Sequence, residues 1–189
     1  MKSLVLAAAI AASATATFAA DTYTLDSSHS QIVFSYDHLG FSTTYGMFSV
    51  FAGELTLDSD NPANSSVSVS MPTSSMFTGW EAREGHFMSP DLLNAGANEL
   101  VTFTSTNIEV TGDETALITG DLTLAGVTKS VVLDAKLNKM GKHPQTQQDW
   151  AGFDATTTLV RSDFGLGMAA PFISDEVEVQ ISIEAMKEG

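Results

Sequence analysis

Gly120 to Leu137 reads GDLTLAGVTKSVVLDAKL, and its reading decides the fold. Ile118, Gly120, Leu122 and Leu124 alternate with Thr119, Asp121 and Thr123; beyond Ala125-Gly126, Val131, Leu133, Ala135 and Leu137 alternate with Val132, Asp134 and Lys136. A period of two on both arms is the signature of a pleated hairpin with one wet face. The turn falls at Ala125-Gly126. Asn-Gly is the low-cost occupant of a two-residue type I′ loop, and Ala at φ > 0 carries strain, so a I′, a II′-like and a bulged turn all stay open.

The same period recurs outward from this hairpin. Ile32, Phe34, Tyr36 and His38 share one face of a strand over Gln31–His38, and Phe51, Gly53, Leu55 and Leu57 are in phase in the next. Phe48 is out of phase with Phe51, which predicts a bulge near Ser49-Val50, the device by which a sheet curves into a barrel. Val67, Val69 and Met71 begin a third strand, and further strands are expected at 100–105, 107–111, 152–161 and 176–183. In the last, Val177, Val179, Ile181 and Ile183 point inward and Glu178, Gln180, Ser182 and Glu184 outward. Residues 76–96 break the pattern: Thr78 caps a short helix through Trp80, Ala82, Arg83 and His86, and Ser89-Pro90-Asp91 opens a second. Residues 139–150, with Gly141 and Pro144, read as a surface loop. About eight strands with one helical interruption make an all-β antiparallel barrel.

Lys2 followed by an apolar run from Leu4 to Ala12 and small residues at 17–20 is the pattern of a secretory signal peptide cleaved after Ala19. The run is too short and Ala-rich for a membrane span, and no Cys follows it to carry a lipid. The expectation is a leader over 1–19 and one exported, periplasmic domain over 20–189, held without disulfides because the chain has no Cys. The formal charge is −15, and more negative once Lys2 leaves with the leader. Such a chain is repelled by nucleic acid and by anionic membrane surfaces, so lipid contact is expected through the interior rather than by membrane insertion.

Large side chains crowd the inferred inner faces: Phe34, Tyr36, Phe41, Tyr45, Phe48 and Phe51, then Phe87, Phe103, Phe153 and Phe164, with His38 in phase on the first long strand. An eight-stranded barrel either fills with such side chains or leaves room for one small ligand, and both remain open from composition. Met76, Met88 and Met168, with Met47, tilt the reading toward an adaptable apolar pocket. Catalysis and cofactors are not expected. His29, His38, His86, Arg83, Asp91, Arg161 and Asp163 are candidate groups, yet there is no Gly-x-Ser-x-Gly turn, no Cys nucleophile and no His-x-x-x-His pair. Asp58, Asp60 and Asn61 open like a calcium loop but lack the glycine and the closing carboxylate, so no metal is expected.

Six motifs stand in order along nearly all of the exported chain: Asp26-Ser-Ser-His29-Ser30, Tyr45 to Gly53, Arg83-Glu-Gly-His86-Phe-Met-Ser89-Pro-Asp91-Leu92, Phe103-Thr-Ser105, the Gly120 hairpin and Gly152-Phe153-Asp-Ala155. In this the chain resembles the YceI-like polyisoprenoid-binding family. The resemblance implies a lipocalin-like barrel that encloses an isoprenoid, quinone or fatty chain and does not turn it over. It also implies a polar cluster of Arg83, His86 and Asp91 in the insert, read as a hydrogen-bonded strut that holds the helix over the barrel mouth. A lipid-modifying enzyme, or a ligand-free scaffold forming a homodimer through exposed sheet edges, are the alternatives.

Overall fold

The computed structural model of the protein describes residues 20–189; the expected leader over 1–19, with its cleavage after Ala19, falls outside the described residues. The strands are β1 (Asp21–Leu25), β2 (Gln31–His38), β3 (Ser42–Phe48), β4 (Ala52–Leu57), β5 (Ser66–Pro72), β6 (Met76–Phe77), β7 (Leu100–Val110), β8 (Thr115–Leu124), β9 (Val127–Lys142), β10 (Asp149–Val160) and β11 (Glu176–Lys187), with one helix, α1 (Glu81–Met88). They form one antiparallel sheet in the order β1-β4-β5-β7-β8-β9-β10-β11, and β1 returns to pair with β11. The result is a closed eight-strand antiparallel barrel, as expected.

Eleven strands make eight staves because three staves are broken at one level. β1 and β2 lie end to end along β11, with Leu25 opposite Ala185 and Gln31 opposite Ser182. β3 and β4 succeed one another across Ser49–Phe51, and β5 gives way to β6 through the 3-10 turn Thr73–Ser75. Each break adds residues on one side only, which bends the sheet around its axis. The Asp26–Ser30 segment pins the first break: the N–H of Glu184 donates to Ser30 Oγ at 2.8 Å, and the N–H of Asp26 donates to the Glu184 carbonyl at 2.9 Å. Backbone groups stranded by the kink are thus satisfied by a buried hydroxyl, as burial requires.

The β8–β9 hairpin is a two-residue loop with Leu124 opposite Val127 and positive φ at both Ala125 (51°) and Gly126 (78°). It is the type I′ turn, and Ala125 tolerates a conformation that costs a non-glycine residue about 1–2 kcal/mol. Its register runs unbroken to Thr115 opposite Lys136. The separate strands expected at 100–105 and 107–111 are one strand, β7, bulged between Ser105 and Asn107. The loop expected over 139–150 shrinks to 143–148, because β9 carries its ladder through Lys142, with a register shift opposite Gly152-Phe153.

One end of the barrel, here the upper end, carries the β2–β3 hairpin tip, the 73–99 insert, the β8–β9 turn and the 161–175 segment. The lower end carries the β4–β5 connection, the β7–β8 turn and the β9–β10 loop. Two glycines let the interior accept rings. A Cβ on Gly46 would stand 2.2 Å from the Phe34 ring, and one on Gly120 would stand 2.3 Å from the Phe103 ring. Each ring lies across the neighbouring strand in the space a side chain would need.

Candidate functional site: the barrel interior

Two apolar cavities share the interior. The lower, of about 230 Å³, runs from Leu25, Phe51, Leu55 and Val67 past Phe153, Ala155 and Ile183. The upper, of about 170 Å³, is walled by Phe34, Phe48, Met76, Phe87, Leu93 and Phe164 together with aliphatic residues of β8 to β11. Both touch Ile32, Met71, Phe103, Leu133 and Ile181. These five stand between the two cavities as a waist. Each compartment exceeds the ~150 Å³ apolar cavity that stays dry and admits benzene in an engineered core, so the barrel has space to hold apolar matter.

Of the residues expected to line a pocket, Phe34, Phe48, Met76, Phe87 and Phe164 face the upper cavity, Phe51 and Phe153 the lower, and Phe103 the waist. Phe34 anchors an aromatic cluster, 6.2 Å from Phe48 and 6.5 Å from Phe87 between ring centroids.

Six others need correction. Phe41 is 89% exposed at the tip of the β2–β3 hairpin, beyond the last rung of the barrel. Tyr45 is 62% exposed because it pairs with Ser35 on the outer face, whereas its neighbours Gly46 and Phe48 are buried. Met168 is 46% exposed on the 161–175 segment. Tyr36 has the inward parity but sits above the cavity, its ring edge-on to Phe87 at 6.2 Å. His38 lies higher still, bridged to Ile173. Met88 packs against the core from the end of α1 without reaching either cavity.

The expected strut of Arg83, His86 and Asp91 is also overturned. His86 and Asp91 are both exposed, and neither side chain makes a hydrogen bond among the described residues. Arg83 instead stacks on Trp80, 5.6 Å from the ring centroid. The cause is local. α1 ends at Met88, Ser89 donates its N–H to the His86 carbonyl, and residues 90–97 run on as turns rather than a second helix, carrying Asp91 into solvent. Ser89 Oγ, expected to cap that helix, is buried without a partner.

Other contacts fasten the insert. Glu84 reaches back to accept the N–H of Thr78 at 2.7 Å, Thr73 is buried with its hydroxyl donating to the Asn98 carbonyl at 2.6 Å, and Leu93 and Phe87 insert into the upper cavity. Sequence reasoning passed over Leu93 because it falls in an aperiodic stretch. The aliphatic wall of Leu122, Leu133 and Ile181 was visible in the strand alternation and was overshadowed by aromatics.

Above the upper cavity, Arg161 organises the 161–175 segment. Its Nε donates to the Ser174 carbonyl at 2.8 Å, Nη1 to that of Leu166 at 2.5 Å, and Nη2 to that of Ile173 at 3.0 Å. The segment therefore closes over the barrel and presses Phe164 and Leu166 inward, both buried. It is tied to the β2–β3 hairpin by the N–H of Leu39 on the Phe172 carbonyl at 2.9 Å and that of Ser174 on the Asp37 carbonyl at 3.1 Å.

One polar cluster stands outside the barrel. His29 Nδ1 lies 2.7 Å from Asp26 Oδ2, with Glu184 close enough to complete a three-residue group. Burial pushes the Asp26 carboxyl up, but hydrogen bonds from Ser28 and His29 outweigh it and hold the group below its usual range. The bond to Asp26 raises His29 in turn. This is a complete pairing at the surface of the first kink, and it touches neither cavity.

Comparison with known proteins agrees with this architecture. The chain is 42% identical over 164 residues to a UPF0312 protein of Ectopseudomonas mendocina, covering 85% of this chain and 83% of that one. Its fold is similar to that of BcnA from Burkholderia cenocepacia, with a TM-score of 0.77 at 21% identity over 85% of this chain and 98% of that chain. It is also similar to a polyisoprenoid binding domain from Saccharophagus degradans, described as implicated in plant cell wall breakdown, with a TM-score of 0.68 at 16% identity over 88% and 98% of the two chains. The YceI-like domain family matches residues 23–185, nearly the whole described barrel, and the chain belongs to that family.

Proposed function

We propose that the protein binds one long-chain amphiphile, an isoprenoid, quinone or fatty-acid derivative, with its tail along the barrel axis, and carries or sequesters it in the periplasm without chemical turnover. The observation that carries this reading is the pair of cavities that share one wall inside the barrel, the upper lined by apolar residues but for Thr157 and Arg161. A core built only for stability closes such space, since unfilled volume costs stability at about 24 cal/mol per Å³. A single extended chain fits a narrow interior with a waist better than a globular ligand does. That a barrel of the same fold is named for polyisoprenoid binding supports the lipid class. No turnover is expected because, among the described residues, the wall hydroxyls of Ser59, Ser65, Thr115 and Thr157 make no hydrogen bond to a carboxylate or histidine that could activate them.

Native mass spectrometry of protein purified from its own host, followed by organic extraction, tests the reading. One unmodified lipid per chain is expected. A lipid returned chemically altered after incubation would favour an enzyme, and protein that neither arrives with lipid nor takes up a fatty or isoprenoid probe would favour a scaffold.

A further inference from the structure

The two ends of the barrel interior meet their surroundings differently. At the upper end Phe87, Leu93, Phe164 and Leu166 close the cavity, and the one charged residue of its wall, Arg161, already donates to backbone carbonyls. Thr157, in the β10 wall, is the one other polar residue of that lining. At the lower end the lining passes from Leu57, Ile108 and Leu137 to Asp58, Ser59, Pro62, Asp113 and Glu114, of which all but Asp58 are exposed. This is where the cavity reaches solvent.

The charge at that mouth is one-sided. Asp58, Asp113, Glu114 and Asp154 line it against a single base, Lys136, which stands directly opposite Asp154 in the β9–β10 register. Of the other lysines at this end, Lys142 and Lys187 are paired with Asp149 and Asp21, at 2.9 and 2.5 Å, and Lys139 is not part of the lining. Asp58 is a fixed anion. The N–H of Asn61 at 2.8 Å, Asn64 Nδ2 at 3.2 Å and the N–H of Asp60 at 3.1 Å hold its carboxyl below the usual range.

We infer, resting on the carrier reading above, that the bound lipid lies with its tail toward Phe164 and its head at the lower mouth, and that this mouth admits uncharged or cationic heads and disfavours phosphate and carboxylate heads. An anionic head there would meet Asp58, Asp113 and Glu114 with Lys136 as the one base of the lining, and like charges at a low-dielectric cavity mouth repel. An alcohol, amide, quinone or amine meets no such penalty, and the carboxylates and the Ser59 hydroxyl accept its donors where it has them.

The test compares geranylgeraniol with geranylgeranyl diphosphate, one tail with two heads, by direct titration of the protein. The alcohol is expected to bind roughly tenfold or more tightly than the diphosphate at low salt, and the gap to shrink in about 0.5 M salt, where the screening length is only a few ångströms. Asp113→Asn combined with Glu114→Gln, both on an exposed turn, should narrow the gap at low salt by tightening the diphosphate more than it alters the alcohol. Equal or tighter binding of the diphosphate by the parent overturns the inference, as does a preference for the alcohol that neither salt nor the double substitution moves. Failure of both ligands to bind contradicts the carrier reading itself and removes the inference with it.

Discussion

The barrel wall and the helical insert both close the same cavity, yet they hold their places by different means. The wall is fixed by ladders that repeat the same pairing over many residues; β10 alone stays in register with β11 from Trp150 opposite Met186 to Val160 opposite Glu176. The insert has no ladder beyond the two residues of β6. It is held by a few single contacts: Leu93 and Phe87 in the cavity, Thr73 on the Asn98 carbonyl, and Glu84 on Thr78. A periodic element spreads its stability over many positions, whereas an aperiodic one concentrates it in a handful. Substitutions should therefore be costly on the wall wherever a large side chain faces inward, and costly on the insert only at those few points.

The largest effect is expected at the waist. Phe103→Ala should destabilise by about 3–5 kcal/mol, the usual range for removing a buried phenyl group, as read from a urea midpoint. It should also merge the two compartments, so the variant's preferred tail length should move upward. A stability loss with no change in chain-length preference would mean that Phe103 does not divide the interior.

Next comes Arg161→Gln at the upper closure. Backbone carbonyls of Leu166, Ile173 and Ser174 lose their donor, for a loss of about 1–3 kcal/mol. Amide exchange should quicken across residues 161–175 while β7 to β10 stay protected. Uniform protection in the variant would show that the segment is held by Phe164 and Leu166 alone.

The smallest is His86→Asn on the insert. An exposed side chain without a hydrogen-bond partner should change stability by no more than about 0.5 kcal/mol. A loss well beyond that would restore the strut that the exposed positions of His86 and Asp91 argue against.

The same contrast explains what the sequence made legible. Alternation over Ile118–Leu124 and Val131–Leu137 identified the strands, their inward faces and the barrel, because a period of two maps directly onto a two-sided wall. The phase slip between Phe48 and Phe51, expected as a bulge within one strand from Phe41 to Leu57, is instead the break that separates β3 from β4. Phe41 and Tyr45 were misplaced by treating aromatic size as a sign of inwardness: Tyr45 is odd where Phe48 is even, and Phe41 lies past the end of the ladder. The insert stayed obscure for a different reason. Motif spacing placed Arg83, His86 and Asp91 near one another in the chain, but whether they meet depends on how residues 89–97 turn, and no period reports that. Leu93, at a position without pattern, carries the contact that the polar residues do not.

The central claim is that the interior holds a single lipid chain running through the waist. The most direct measurement is the displacement of a fluorescent fatty-acid probe from the protein and from Ile181→Trp, which fills the waist, with circular dichroism confirming that the variant keeps its β-sheet. The account predicts one probe per parent molecule and binding at least about tenfold weaker in the variant, a difference of about 1.4 kcal/mol. Undiminished binding by a folded Ile181→Trp protein would contradict it.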